Sequence, residues 1–201
     1  MKSAFDLEYQ NKNVSARIVA ALERISEAFR VLLWDVGKKF KLTPIQVQIL
    51  IFLQTHTNRY HTVSYLAKEF SLTKATVSDA IATLEQKSLI TKKKNKVDTR
   101  SYTLTLTTRG KRIAQDAALL TKAIEKPFKA QTKESKETIL ISLLNTIGEL
   151  NKAGIITIQR MCLTCTYYEK NFNGNQNYCR LLEKKLHNSE LRLDCNEHQQ
   201  R

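Results

Sequence analysis

The segment TVSYLAKEFSLTKATVSDAIATLEQKSLITKKKNKVDTRSYTLTLTTRG, residues 62–110, holds two helical patterns, a basic hairpin pattern and the start of a further helix. Val63, Leu66, Ala67 and Phe70 follow the three- and four-residue spacing of a helix that buries one face. Thr62 stands where an N-cap belongs, because its hydroxyl can take an unpaired amide of the first turn. Ser71-Leu72-Thr73 interrupts the pattern. Thr73 then caps a second helix with Val77, Ile81 and Leu84 on its apolar side. Two short helices joined by a tight turn form a helix-turn-helix, whose second helix enters a major groove. The turn lacks the glycine often found there.

The polar side of the second helix carries Thr73, Lys74, Thr76, Ser78 and Asp79, hydrogen-bonding groups suited to phosphates and base edges. Tyr102, Leu104 and Leu106 alternate with Ser101, Thr103, Thr105 and Thr107, a period-two strand with one buried face. Leu89-Ile90-Thr91 opens its partner strand. The tip between them holds Lys92, Lys93, Lys94, Lys96 and Arg100 against one acid, Asp98. A tip this basic repels itself unless an anion lies against it, so beside a helix-turn-helix it is expected to be a wing that contacts DNA. The plainer reading is a solvated loop whose lysines protect a strand edge.

These residues carry a resemblance. LAKEFSLTKATVSDAIATLEQKSLI followed by DTRSYTLTLTTRG resembles the winged-helix domain of the MarR (multiple-antibiotic-resistance regulator) family of bacterial transcription factors. Asp98-Thr99-Arg100 matches that family's Asp-x-Arg wing motif, and Leu106-Thr107-Thr108-Arg109-Gly110 matches the Leu-Thr-x-x-Gly that leads into its dimerisation helix. The resemblance implies a DNA-binding homodimer and, in some relatives, a pocket for a small phenolic effector between the long N-terminal helix and the winged helix, here near Trp34 or Phe29. Asp79 departs from the arginine often found on the family's recognition helix, and Ser88 from its usual glycine before the wing. The second departure predicts a slightly different turn from helix to wing.

The flanking sequence fits a mainly α protein with a small β-hairpin wing. Residues 1–10 read as a loose or partly ordered arm. Residues 12–40 read as one long helix through Val14, Ile18, Leu22, Ile25, Phe29, Leu32 and Val36, with Leu33 and Trp34 broadening its apolar surface. Thr43-Pro44 opens another helix, threonine capping and proline tolerated at the first helical position. His56 and His61 read as solvated loop histidines, with metal binding or pH sensing as the alternative. Residues 108–126 form a helix that Pro127 should end or kink, and a last helix is expected over residues 134–160. Apolar stripes on helices at both ends of the winged helix predict a two-fold dimer reading half-sites about one helical turn apart. These parts make a DNA-binding and dimerisation domain over residues 1–160.

The chain has 201 residues, a 42% apolar fraction and a net charge of +14, enough for a sizeable core and suggestive of an anionic partner. From Gln86 to Arg112 there are nine Lys or Arg and one acid. Double-stranded DNA fits that concentration better than a membrane surface does, since no long basic amphipathic helix with exposed aromatics is evident. The N-terminus lacks the apolar core of a signal peptide, and the run near IQVQILIFL is too short to span a bilayer. The expected location is cytoplasmic, where structural disulfides are uncommon. With only 5 glycines, no glycine-rich phosphate loop and no nucleophile–base pairing, an enzyme is not indicated.

Residues 161–201 form a second, cysteine-rich module. All four cysteines lie here, Cys162, Cys165, Cys179 and Cys195, with spacing C-x2-C-x13-C-x15-C. The opening pair can reach one centre from a tight turn, and two more distant thiolates can complete four-fold ligation. Leu181, Leu182, Leu186, Leu191 and Leu193 offer a small core that a metal staple would reinforce. Four thiolates suit a zinc ion or an iron–sulfur cluster, and His198 is an alternative ligand. Zinc would make the tail structural, and a cluster would make it a sensor. A reversible disulfide switch is a further alternative. The leading expectation is a DNA-binding transcriptional regulator tuned at the cysteine site. Its rival is a non-specific architectural DNA-binding protein with structural zinc.

Overall fold

The computed structural model describes residues 2–94 and 102–201. A short helix α1 (Leu7–Lys12) precedes the long α2 (Val14–Phe40). Asn13 separates them in extended backbone, its side chain capping the amide of Ala16. The arm over residues 1–10 is the partly ordered one, since it holds most of α1, and the single helix expected over 12–40 starts at Val14, behind an Asn cap. Then follow α3 (Pro44–Thr55), α4 (Val63–Glu69) and α5 (Lys74–Gln86), opened by Thr43, Thr62 and Thr73 as their sequence foretold. Thr43 and Gln46 form a reciprocal capping box.

The wing is an antiparallel pair, β1 (Ile90–Lys94) and β2 (Tyr102–Leu106), in register from Ile90–Leu106 to Lys94–Tyr102. Leu104 and Leu106 are buried as expected, whereas Tyr102 is exposed. Val47, Leu50, Leu66, Val77, Leu84, Leu89 and Leu104 meet in one core joining α3, α4, α5 and the wing. His61 belongs to this core and is not solvated. Its carbonyl accepts from the Leu104 amide at 2.9 Å, and its ring lies against the carbonyls of Leu104 and His56. Burial lowers its proton affinity, so a neutral ring donating to one carbonyl is favoured.

Two turns show how this chain manages without glycine. After α4, Leu72 N–H donates to Ala67 O; after α5, Leu89 N–H donates to Leu84 O. Both close the helix with a residue in the left-handed region, and those residues are Ser71 (φ 51°) and Ser88 (φ 55°). Ser88 thus adopts the conformation a glycine would favour, so the different turn expected from its identity is not found. The serine accepts the strain instead. Ser88→Gly is expected to raise the unfolding free energy by roughly 0.5–1 kcal/mol, read as a higher urea midpoint at unchanged slope. A fall in midpoint would count against the strain.

Beyond the wing, α6 (Thr108–Ala118) passes through a 3-10 turn, Leu119–Thr121, into α7 (Lys122–Lys129). The irregularity falls at that turn, and Pro127 sits inside α7 rather than ending the helix. Helix α8 (Lys133–Lys152) stops well before the expected residue 160. Gly154, at φ 74°, lets Ile155 N–H cap Leu150 O. Residues 155–160 then run to the tail without helix, and Thr157 Oγ1 donates to Lys68 O of α4 at 3.1 Å.

The tail folds as a small antiparallel sheet, β3 (Tyr168–Phe172), β4 (Asn175–Cys179) and β5 (Lys184–Lys185), in the order β3-β4-β5. Of the five leucines expected in its core, Leu186 and Leu191 are buried, whereas Leu181, Leu182 and Leu193 are exposed. The missing apolar surface comes from elsewhere: Leu144 of α8 packs with Met161, Cys165, Tyr168, Leu186 and Leu191. The module shares its core with the helix before it.

Candidate nucleic-acid interface and cysteine site

On α5 the buried residues are Val77, Ala80, Ile81 and Leu84, which turns Thr73, Lys74, Thr76, Ser78 and Asp79 outward together. Thr73 is partly committed to the cap: its hydroxyl accepts from Thr76 N–H at 3.1 Å and lies 2.9 Å from Thr76 Oγ1. Ala75 lies on the same exposed side and escaped the sequence reading, because an alanine carries no polar signal. The remaining first-turn amides and the positive end of the helix dipole suit a phosphate.

The wing supplies the second half of this surface. Lys93 and Lys94 are exposed on β1. Lys92 has a different job, since its Nζ lies 2.7 Å from Glu85 Oε2 and ties the wing to α5. Lys96 and Arg100, with Asp98 between them, lie outside the described residues.

Along α2, Ile18, Leu22, Ile25 and Phe29 form a stripe at four-, three- and four-residue steps, and each is exposed to 37% or more. Trp34 is also exposed. The hollow beside α2 lies further along, where Phe40 faces Arg109, Arg112 and Ile113 of α6. Among the described residues no helix is long and apolar enough to cross a membrane.

The four cysteines, distant in sequence, line one cavity of about 40 Å³ together with Tyr168, Leu181, Leu182 and Leu186. Cys162 and Cys165 flank a single 3-10 turn, and Cys179 ends β4 opposite Tyr168. Cys195 is held by its amide, which donates to Arg160 O at 3.0 Å. All four thiols are free. Arg192 donates to two of the sulfurs, its backbone N–H to Cys162 Sγ at 3.2 Å and its Nη1 to Cys195 Sγ at 3.4 Å. Burial pushes the Cys162 thiol up, the Arg192 amide opposes that, and the other three sulfurs add to the rise. Among the described residues no three His, Cys, Asp or Glu side chains converge closely enough to hold a single metal ion. His198 is not among the residues lining the cavity, and its Nε2 sits 3.0 Å from Thr164 Oγ1.

Between the two regions lies a group that sequence reading missed. Arg160 is buried, with its guanidinium forked on two carboxylates. Nε and Nη2 donate to Asp194 at 2.6 and 2.8 Å, and Nη1 and Nη2 donate to Glu69 at 2.7 and 3.1 Å. Nη1 also donates to Tyr65 Oη at 2.7 Å. His56 Nε2 lies 2.8 Å from Asp194 Oδ2, and its ring stacks on Phe52. Burial opposes the Arg160 charge, but the bonds to Asp194 and Glu69 overcome it and keep the guanidinium more basic than usual. Against the cost of its own burial, the bonds from Arg160 and His56 hold the Asp194 carboxyl well below the usual range. No signal within residues 155–165 announces this, because Glu69 and Tyr65 lie more than ninety residues away.

Comparison with known proteins fits the winged-helix part of this geometry. Residues 40–101 match the model of the MarR family. The structure of MepR from S. aureus in complex with DNA is similar at 24% identity, covering 66% of this chain and 97% of that one with a TM-score of 0.57. A MarR transcriptional regulator from Methanosarcina mazei Go1 is similar at 19% identity, covering 68% and 97%, with a TM-score of 0.58. A MarR protein from Peptoclostridium difficile is similar at 25% identity, covering 66% and 85%, with a TM-score of 0.55. No curated protein sequence matches the chain. The likeness establishes the winged-helix fold.

Proposed function

We propose that this chain is a DNA-binding transcriptional regulator of the MarR type, acting as a homodimer and carrying a metal centre on Cys162, Cys165, Cys179 and Cys195. The observation that carries the first part is the outward polar face of α5 on a helix tied to the lysine-bearing wing through Glu85 and Lys92. A helix of this width fits the major groove, while a basic ribbon reaches phosphates. The likeness to a regulator solved on DNA supports the same reading. The exposed stripe Ile18, Leu22, Ile25 and Phe29 supports a dimer, because so many large apolar groups on one helix want a partner surface. A small effector with a negative charge would find Arg109 and Arg112 in the hollow beside Phe40.

The donor set at the cysteines fits a thiolate-bound centre: four soft sulfurs, an apolar enclosure and N–H donors from Arg192. Tetrahedral zinc at a Zn–S distance of ~2.3 Å needs sulfurs only ~3.8 Å apart. Four sulfurs around one cavity suit a zinc ion, which would be structural, or an iron–sulfur cluster, which would supply sensitivity to oxidant or iron. The chain's own residues supply the rest: Leu181 and Leu182 limit water, and Arg192 offsets negative charge on Cys162 and Cys195.

A salt titration on the duplex upstream of the gene and on a random duplex tests the DNA reading. A specific regulator binds the first at least ~1,000-fold more tightly. Equal affinity with the same steep salt slope would establish the non-specific architectural alternative, which Asp79 on the recognition face keeps in view. In the same titration Lys93→Ala with Lys94→Ala is expected to flatten the slope by ~0.9 for each phosphate no longer neutralised. Lys92→Ala is expected to change it less, because Glu85 already neutralises that charge.

A further inference from the structure

The cysteine site and the helix-turn-helix are joined by one buried side chain. Asp194 immediately precedes Cys195, and Arg160 lies two residues before Cys162. The two residues also pair through their backbones as a parallel bridge, and the Cys195 amide is fixed on Arg160 O. At its other end the Arg160 fork grips Glu69 and Tyr65, both on α4, the first helix of the helix-turn-helix. A second link runs alongside, from Arg59 Nη2 to the carbonyl of Asn196, the residue after Cys195. The connecting segment 155–160 passes over the same helix, with Thr157 and Ile158 sharing a hollow with Lys68, Ser71, Leu72 and Lys74.

We infer that Asp194, Arg160 and Glu69 form a clasp through which the state of the cysteine site sets the position of α4 and hence the affinity for DNA. This rests on the proposed DNA-binding and metal-centre readings and names the residues that connect them. The physical basis is directional. A forked guanidinium satisfies both carboxylates only in one relative placement of the three groups. Any shift of Cys195 carries Asp194 with it, and Arg160 can follow only by altering its hold on α4. Helix α4 packs directly on α5 through Leu66, Ala67, Val77 and Ile81, so its displacement re-aims the face that carries Lys74, Thr76 and Ser78. A rigid packed core passes such a shift on rather than absorbing it. Coupling of this kind is reciprocal, so DNA must alter the hold on the metal by the same factor.

The test compares the full-length wild type with Glu69→Gln, which opens the clasp at the end remote from the cysteines and keeps a neutral acceptor of the same shape. Both are purified anaerobically. Metal and sulfide per chain, DNA affinity before and after chelator stripping, and hydrogen exchange of the amides over residues 62–72 are then measured. In the wild type, stripping is expected to change DNA affinity by about tenfold or more and to speed exchange in α4. Glu69→Gln is expected to hold the same metal and to bind DNA, with the change on stripping reduced to less than about threefold. Its α4 amides should exchange rapidly in both states. Tyr65→Phe, a smaller lesion in the same clasp, should give an intermediate response and covers the case in which Glu69→Gln fails to fold. A full response to stripping in either variant would overturn the clasp. Wild type that binds metal and DNA independently would overturn the clasp alone. Wild type purified without metal would overturn the metal-centre reading and the clasp together, and leave the DNA reading standing.

Discussion

Alanine in place of Gly110 is expected to lower the unfolding free energy by about 3 kcal/mol, one of the largest effects of a single methyl group in this chain. A Cβ at that position would stand 1.9 Å from the carbonyl oxygen of Leu89 and 2.9 Å from its carbon. Both are backbone atoms, so neither can swing aside. Leu89 O is also anchored, because it accepts the Thr107 amide at 3.0 Å and the Thr107 hydroxyl at 3.2 Å. Thr107 in turn caps Gly110 N–H at 3.0 Å. The short motif from Leu106 to Gly110 is therefore one joint: leucine in the core, threonine bracing strand to helix, glycine admitting the strand's carbonyl. Urea unfolding of Gly110→Ala measures the cost. Gly148→Ala is the control, since a Cβ there meets nothing within 4 Å and the helix should gain stability. Equal midpoints for the two variants would mean that the close approach at Leu89 carries no weight.

The second large effect is expected at Arg160. Arg160→Ala removes the cation between two carboxylates and leaves Glu69 facing Asp194, at a cost of about 3–5 kcal/mol. Part of that cost is packing, because the guanidinium lies 5.3 Å from the Tyr60 ring centroid and 5.6 Å from that of Phe52. Arg160→Lys should recover only a fraction, since an ammonium cannot fork onto both carboxylates while reaching Tyr65. Thermal unfolding of the two variants, with the double variant Arg160→Ala and Glu69→Gln, separates charge from packing. If lysine restored wild-type stability, the forked geometry would be unnecessary.

The sequence was most readable where the physics is local. Thr43, Thr62 and Thr73 each announced a helix start, because a capping hydroxyl acts within three residues. The alternation at Leu104 and Leu106 announced the buried side of the wing for the same reason. Helix ends were harder. The stop of α8 depends on Gly154 taking the left-handed region, yet the apolar run through Ile155 and Ile156 continued the helical pattern and hid it. Ser71 and Ser88 close their helices without the residue that usually advertises such a turn. Lys92 looked like its neighbours on the wing, and only the fold brings Glu85 beside it. The cysteine spacing gave four candidate ligands, and the fold brings all four to one cavity, while His198 faces Thr164. Arg160 was illegible because its partners come from two distant parts of the chain, and the carboxylate beside it in space is not beside it in sequence.

The most direct test of a dimeric, sequence-reading winged helix is recovery of bound duplexes from a randomised pool by the purified protein. The account predicts enrichment of one site made of two inverted half-sites whose centres lie about one helical turn, ~10 base pairs, apart. A recovered pool with no enriched sequence would contradict it and leave a chain that holds DNA by charge alone.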